Sequence, residues 1–126
     1  MKTSELTGAA LDWAVTIIEM RRMIAEGIYV KAWVQANILG GTHRDPYSDD
    51  WVWGGPIIER EKIAVTCSPV EWMAYSASGE HEGLPAGQRA FRWVGKQVGP
   101  TPLVAAMRCY VASKLGDEVE VPEGLA

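Results

Sequence analysis

Apolar residues recur at helical spacing along the first part of the chain and predict a long N-terminal helix. The repeating positions are Leu11, Val15 and Ile18, widened by Trp13, Ile17 and Ile24. Because this apolar arc is broad, we expect the helix to pack against a sheet or to be partly covered on a second side. Thr3 or Ser4 can cap its start. The helix then runs to about Glu26 and ends at Gly27.

Four segments alternate in polarity or are rich in β-branched and aromatic residues, and they predict strands. These segments are residues 28–36, 62–66, 70–76 and 90–98. A short turn at Ser68 and Pro69 joins the second to the third, which favours antiparallel pairing. The segments 37–50 and 77–88 are rich in turn-forming residues and are predicted loops.

The last helix has the plainest signature in the sequence. Thr101 is a capping residue, and Pro102 follows at the first helical position, where proline is favoured. We predict that Gly116 ends this helix. Its inner face is predicted to consist of Leu103, Ala106, Met107, Tyr110 and Val111. The order of elements predicts an α+β sandwich, a mainly antiparallel sheet of three or four strands with N- and C-terminal helices packed on it.

Composition narrows the class of protein. The chain has 126 residues, 48% hydrophobic and 22% charged, so we predict one globular domain over 1–126 with an acidic, loosely held tail at 117–126. The net charge of −4 argues against a nucleic acid polymer as a partner. Acids interrupt the apolar N-terminal run, and no run is long enough to span a membrane. We expect a cytoplasmic protein with no membrane partner. Cys67 and Cys109 are predicted to be reduced, buried thiols.

Tryptophan is the residue whose number stands out. The chain has six, and two of them fall in the stretch YSDDWVWGGPIIERE at residues 47–61. Exposed aromatic rings commonly mark a ligand pocket or a partner surface. Trp51 and Trp53 could stack on a flat ring such as a nucleobase. Gly54 and Gly55 could let a ligand approach the backbone closely.

Polar groups in the same stretch complete the predicted ligand site. Arg60 could pair with a phosphate or carboxylate, and Asp49 or Asp50 could accept hydrogen bonds from ribose hydroxyls or a base edge. Tyr47 opens the stretch and is included in the site. The alternative is structural, a tight loop entering a strand whose tryptophans cover the sheet edge. On such a strand Arg60 and Lys62 would share one face.

Two residues of the last helix are added to the predicted ligand site. Thr101 opens the helix, where free backbone N–H groups can bind an anion, although simple capping explains it as well. Arg108 lies in an otherwise apolar helix. It either pairs with an acid or extends to the surface, or else it points into a pocket.

Three blocks of the sequence appear in the order of a known family. They are KTSELTGAALDWAV at 2–15, the tryptophan-rich stretch at 47–61, and GPTPLVAAMRCYVASKLGDEVEVPEGL at 99–125. Together they resemble the NinX family of tailed-phage and prophage proteins, a family of unknown function. The resemblance implies a phage or prophage protein acting in the bacterial host cytoplasm. The sequence is also similar to phage domains with an α-β-α sandwich fold. The resemblance supplies no catalytic residues.

Catalysis and metal binding find little support in the sequence. His43 and His81 lack the spacing of metal ligands, and no nucleophile motif is present, so we predict no catalytic residue, no metal and no cofactor. The predicted function is that of a non-enzymatic phage protein that binds a small, nucleotide-like molecule. Such a protein could sequester a host defence signal and could act as a homo-oligomer. The alternative is an interaction module that docks on a host or phage protein through the tryptophan-rich stretch.

Overall fold

The computed structural model of the chain describes residues 1–27, 45–77 and 93–125. A 3-10 turn, Thr3–Glu5, precedes the first helix. Within the described ranges the elements in chain order are α1 (Gly8–Ala25), α2 (Trp51–Glu61), β1 (Ala64–Cys67), β2 (Trp72–Ala77), β3 (Trp93–Gly99) and α3 (Pro102–Leu115). The predicted strand at 28–36 lies outside the described residues, as do the greater parts of the predicted loops at 37–50 and 77–88.

The three described strands form one antiparallel sheet in the order β1-β2-β3. Trp72 at the start of β2 lies opposite Gly99 at the end of β3. The turn between β1 and β2 is closed by a hydrogen bond from the Ser68 N–H to the Glu71 carbonyl at 2.9 Å. The three strands predicted for this part of the chain are confirmed, although β1 and β2 begin slightly later than predicted.

The two cysteines lie in different surroundings. Cys109 is buried in α3 with its Sγ 3.1 Å from the Ser76 hydroxyl oxygen, and burial raises the pKa of its thiol. Cys67 is exposed at the end of β1, so the prediction that both thiols are buried is wrong for this residue. In the described sheet β1 is an edge strand, and a side chain at its end has few neighbours to cover it.

Helix α3 lies on the sheet and contacts all three described strands. Thr101 caps it as predicted, because its Oγ1 accepts a hydrogen bond from the Val104 N–H at 3.1 Å. Gly99 lets β3 approach closely, since a Cβ there would lie 2.8 Å from the Ala105 nitrogen. The five side chains predicted to face the core are all buried: Leu103, Ala106, Met107, Tyr110 and Val111.

Helix α1 packs on α3, so α3 joins α1 to the sheet. Every residue from Ala10 to Met20 is buried, which agrees with the broad apolar arc. The helix starts later than predicted, with Thr7 as its N-cap residue. Thr3 is not a cap, because its hydroxyl instead donates to the Gly116 carbonyl at 2.7 Å. The predicted α+β fold, an antiparallel sheet with N- and C-terminal helices packed on it, is confirmed, with α3 in direct contact with the sheet and α1 packed on α3.

The first residues pair with the segment that follows α3. The ammonium group of Met1 donates to the Val119 carbonyl at 2.9 Å, and the Val119 N–H donates to the Met1 carbonyl at the same distance. Lys2 and Glu118 form an antiparallel bridge beside this pair. The start of the acidic tail is therefore bonded to the N-terminal segment, and the Val119 side chain is buried.

Residues 51–61 of the tryptophan-rich stretch form a helix, α2, so the structural alternative of a loop entering a strand is wrong. Asp50 is its N-cap residue, and the Asp50 carboxylate accepts from the Val52 N–H at 2.9 Å. Two glycines and Pro56 lie inside the helix, and an internal proline alone costs about 3 kcal/mol. Sequence propensity therefore argued against a helix here, and tertiary packing of α2 outweighs it.

Arg60 and Lys62 do not share the face of a strand, contrary to the prediction. Arg60 is in the last turn of α2, and Lys62 is the residue after the helix, with a positive φ of 52°. The side chain of Arg60 instead turns toward α1, where it meets the carboxylate of Glu19.

The buried carboxylate of Glu19 joins the three helices. Glu19 lies on α1 and is 2% exposed. Its Oε2 pairs with Arg22 Nη2 of the same helix at 3.1 Å. Its Oε1 pairs with Arg60 of α2 and accepts a hydrogen bond from the Tyr110 hydroxyl of α3 at 2.9 Å. A buried charge needs such partners, since its desolvation would otherwise cost several kcal/mol.

Glu19→Gln is expected to lower the free energy of unfolding by about 2–4 kcal/mol, because two arginines lose their shared counter-charge. Chemical denaturation followed by circular dichroism measures the change. Glu59→Gln removes an exposed acid of α2 and is the matched control, with an expected change below about 0.5 kcal/mol. If Glu19→Gln were as stable as the wild type, this carboxylate would not be what holds the helices together.

Candidate functional site

Two buried polar side chains of α1 fix the segment that precedes α2. The Ser48 N–H donates to Asp12 Oδ1 at 2.8 Å, and the Asp45 N–H donates to Thr16 Oγ1 at 3.1 Å. Asp12, Thr16 and Glu19 are spaced one helical turn apart, so they form a polar stripe in the otherwise apolar centre of α1. This stripe was not predicted, although its spacing can be read directly from the sequence.

Tyr47, one of the predicted ligand residues, is a packing residue. It is 4% exposed, and its ring meets Trp53 edge to face with ring centroids 5.6 Å apart. Burial, with a contribution from the nearby charge of Asp45, raises the pKa of its phenol above the usual value. Tyr47 therefore supports Trp53 and the start of α2.

Gly54 allows the starts of α2 and α3 to lie close together. A Cβ at this position would be 2.5 Å from the Tyr47 carbonyl oxygen and 2.6 Å from Leu103 Cδ2. The space in front of Gly54, which we predicted for a ligand, is therefore filled by the protein itself. Gly55 differs, because a Cβ there would make only an ordinary contact, 3.7 Å from Trp51 Cε3.

A pocket of about 300 Å³ opens where these two helix starts meet. It is lined by Ser48, Asp49, Trp51, Thr101, Pro102 and Leu103. Three of the predicted ligand residues are thus brought together from separate parts of the chain. They are Asp49, Trp51 and Thr101. Trp51 is 54% exposed, which leaves part of its ring open to a ligand.

Ser48 is the unusual residue of this lining. It is 3% exposed, and its hydroxyl has no hydrogen-bond partner in the described part of the chain. A buried polar group left without a partner costs about 1–3 kcal/mol, and such a group calls for an explanation. Ser48 was not among the predicted site residues, because a serine before two aspartates is typical of an ordinary turn.

The two predicted arginines lie away from the pocket and hold other parts of the fold. Arg108 Nε donates to the Leu6 carbonyl and Nη1 to the Val98 carbonyl, both at 2.7 Å. Burial lowers the pKa of Arg108. For Arg60, burial acts in the same direction, but the hydrogen bond and charge of Glu19 outweigh it and raise the pKa. Both guanidinium groups are thus engaged by the protein.

The chemistry available in the pocket follows from its lining. Asp49 is the one charged residue among the described residues of the lining, and an ionised carboxylate only accepts hydrogen bonds. Trp51 offers a flat ring for stacking. Ser48 belongs to the lining, and its hydroxyl, which can donate or accept, lies buried behind it. Within the described ranges, no group of three or more histidine, cysteine, aspartate or glutamate side chains could hold a metal ion.

The fold and this site define a small α+β protein with a candidate ligand pocket at the meeting point of two helix starts. The chain matches the family model described as Bacteriophage P22, NinX over residues 2–114, and it belongs to this family. The match covers the middle of the chain, the first two blocks noted in the sequence, and the third block as far as residue 114. No curated protein matches the chain. None of the helices in the described ranges is long and apolar enough to cross a membrane.

Gly54→Ala is expected to lower the free energy of unfolding by about 1–3 kcal/mol, because the added methyl group meets the Tyr47 carbonyl and Leu103. Gly55→Ala is the matched control on the same helix. Its methyl group has room, and alanine should stabilise the helix by up to about 1 kcal/mol. Thermal or urea denaturation measures both variants. Equal effects of the two substitutions would contradict the close approach of α2 and α3 at Gly54.

Proposed function

We propose that this phage-family protein binds a small, nucleotide-like molecule in the pocket between Trp51 and the start of α3. A flat aromatic ring, a carboxylate and a hydroxyl line one cavity of about 300 Å³. This volume lies at the lower end of the range of ligand pockets, roughly 300–1,000 Å³. The proposal assigns no catalytic residue, because binding alone needs only complementary surfaces.

The buried hydroxyl of Ser48 is the observation that carries this proposal. Ser48 lines the cavity, and its buried hydroxyl has no partner within the described ranges, although the Ser48 backbone is well fixed by Asp12. A ligand atom that exchanges a hydrogen bond with Ser48 would remove the penalty of burying it. The hydroxyl of Ser48 would thus have a hydrogen-bond partner in the ligand-bound protein and none among the described residues of the free protein.

Sequestration is the role that we assign to this binding. A phage protein can blunt a host defence by holding the nucleotide signal on which the defence depends. Such a protein would act in the cytoplasm of the host, where the signal is made. A symmetric homo-oligomer would multiply the number of sites, and closed symmetric assemblies are the usual form of soluble oligomers.

Ser48→Ala is expected to raise the free energy of unfolding of the ligand-free protein by about 1 kcal/mol, since a buried hydroxyl without a partner is removed. The same change should weaken ligand binding about five- to ten-fold, because one hydrogen bond is lost. Denaturation measures the first effect, and titration with the molecule recovered from infected-cell extract measures the second. Ser4→Ala, at an exposed position, is the control. A loss of stability in Ser48→Ala would show that the hydroxyl already has a partner.

Trp51→Ala should abolish retention of the bound molecule, because stacking contributes about 1–3 kcal/mol per base. Trp53→Ala is the matched control, since Trp53 is also exposed on α2 but does not line the pocket. Native mass spectrometry of each protein after exposure to extract of infected, defence-active cells reports any stoichiometric adduct and the subunit number. An adduct that is lost equally in both variants would argue against the pocket.

A second function is favoured by a different observation. Trp51, Val52 and Trp53 form one exposed apolar turn, 54%, 78% and 41% exposed respectively, beside the exposed acids Asp49 and Asp50. This pattern suits docking on a host or phage polypeptide that presents apolar side chains next to basic ones. Capture of one such polypeptide, lost in both tryptophan variants and without any small-molecule adduct, would favour this function over ligand binding.

A further inference from the structure

We infer that the pocket binds the base of a nucleoside and leaves phosphate groups outside. Two neighbouring N–H groups of the base would donate hydrogen bonds to the carboxylate of Asp49. This inference rests on the proposed function and names the part of the ligand that the pocket recognises. It departs from the sequence-based expectation, in which Arg60 and the start of α3 would bind a phosphate.

The charge around the pocket disfavours a phosphate. The cation assigned to this task, Arg60, is bonded to Glu19, and Arg108 is bonded to backbone carbonyls. Among the described residues of the lining, Asp49 therefore supplies the only full charge, and it is negative. The start of a helix contributes about half a positive charge, which is smaller than the full negative charge of the Asp49 carboxylate.

The start of α3 also has few N–H groups to offer an anion. Pro102 has none, because proline lacks a backbone N–H. The Val104 N–H donates to Thr101 Oγ1, and the Ala105 N–H donates to the Thr101 carbonyl, each at 3.1 Å. Anion sites at helix starts depend on several converging N–H groups. Here most of the first turn is already used by the protein.

The same lining suits a flat heterocycle with hydrogen-bond donors. An ionised carboxylate has two acceptor oxygens and no donor, so it matches two adjacent N–H groups such as those on the pairing edge of guanine. Trp51 can stack on the ring, and the hydroxyl of Ser48 can meet a further polar atom. A volume near 300 Å³ suits a single nucleoside better than a chain of nucleotides.

The test is a titration of the full chain with guanosine, adenosine and guanosine monophosphate, followed by tryptophan fluorescence and calorimetry. Guanosine should bind at least about ten-fold more tightly than adenosine, because adenine offers a donor beside an acceptor. The monophosphate should bind no more tightly than guanosine, and raising the salt concentration should not weaken it. These two results together would support recognition of the base without the phosphate.

Asp49→Asn separates recognition by the carboxylate from simple stacking. The amide has one donor and one acceptor, so the preference for guanosine over adenosine should fall from about ten-fold to near equality. Glu59→Gln removes the same charge from an exposed position of α2 and should leave the preference unchanged. The melting temperature of each variant shows that both proteins are folded.

Three results would overturn the inference, and they are distinguishable. Monophosphate binding ten-fold tighter than guanosine, and weakened by salt, would place the phosphate in the site while leaving the proposed function standing. Equal binding of guanosine and adenosine, unchanged in Asp49→Asn, would remove the role of the carboxylate but not the pocket. No saturable binding of any of the three probes would overturn both the inference and the proposed function.

Discussion

The carboxylate of Glu19 is the group on which the arrangement of the helices depends. It is buried, and it is bound by a side chain from each of the three described helices, Arg22, Arg60 and Tyr110. Removing one member of a buried charged set leaves the others without compensation, which is why such sets act as a unit. Helix α2 contains residues that disfavour a helix, so its position relies on contacts of this kind and on its packing against α3. The orientation of Trp51 in turn relies on α2.

The position of Trp51 links the two functions proposed for this protein. It lines the pocket and also belongs to the exposed apolar turn of α2. A ligand stacked on its ring would cover part of the surface that a protein partner needs. Ligand binding and docking on this surface would therefore compete, since each would remove the same ring from water. Trp53 belongs to the turn alone, because its ring packs against Tyr47.

The sequence pattern correctly predicted those parts of the fold that depend on residues close together in the sequence. Helix α3 was readable because Thr101 and Pro102 mark its start and its apolar positions are regular. Helix α2 could not be predicted, since its glycines and Pro56 argue against a helix, and the close packing that accounts for Gly54 involves residues distant in the sequence. In the site, Asp49, Trp51 and Thr101 were predicted. Arg60 was assigned to a ligand because the sequence does not reveal that a buried acid 41 positions away is its partner. Ser48 carried no signal of its own.

The place of α3 in the fold has a consequence for how the chain is made. This helix contacts α1, α2 and all three described strands, yet it follows every one of them in the sequence. The hydrogen bond between Tyr110 and Glu19 spans 91 positions. Until α3 has left the ribosome, the apolar faces of α1 and the sheet lack the surface that covers them. Folding is therefore expected to follow the synthesis of α3. Before then, the growing chain would expose apolar surface that is prone to aggregation.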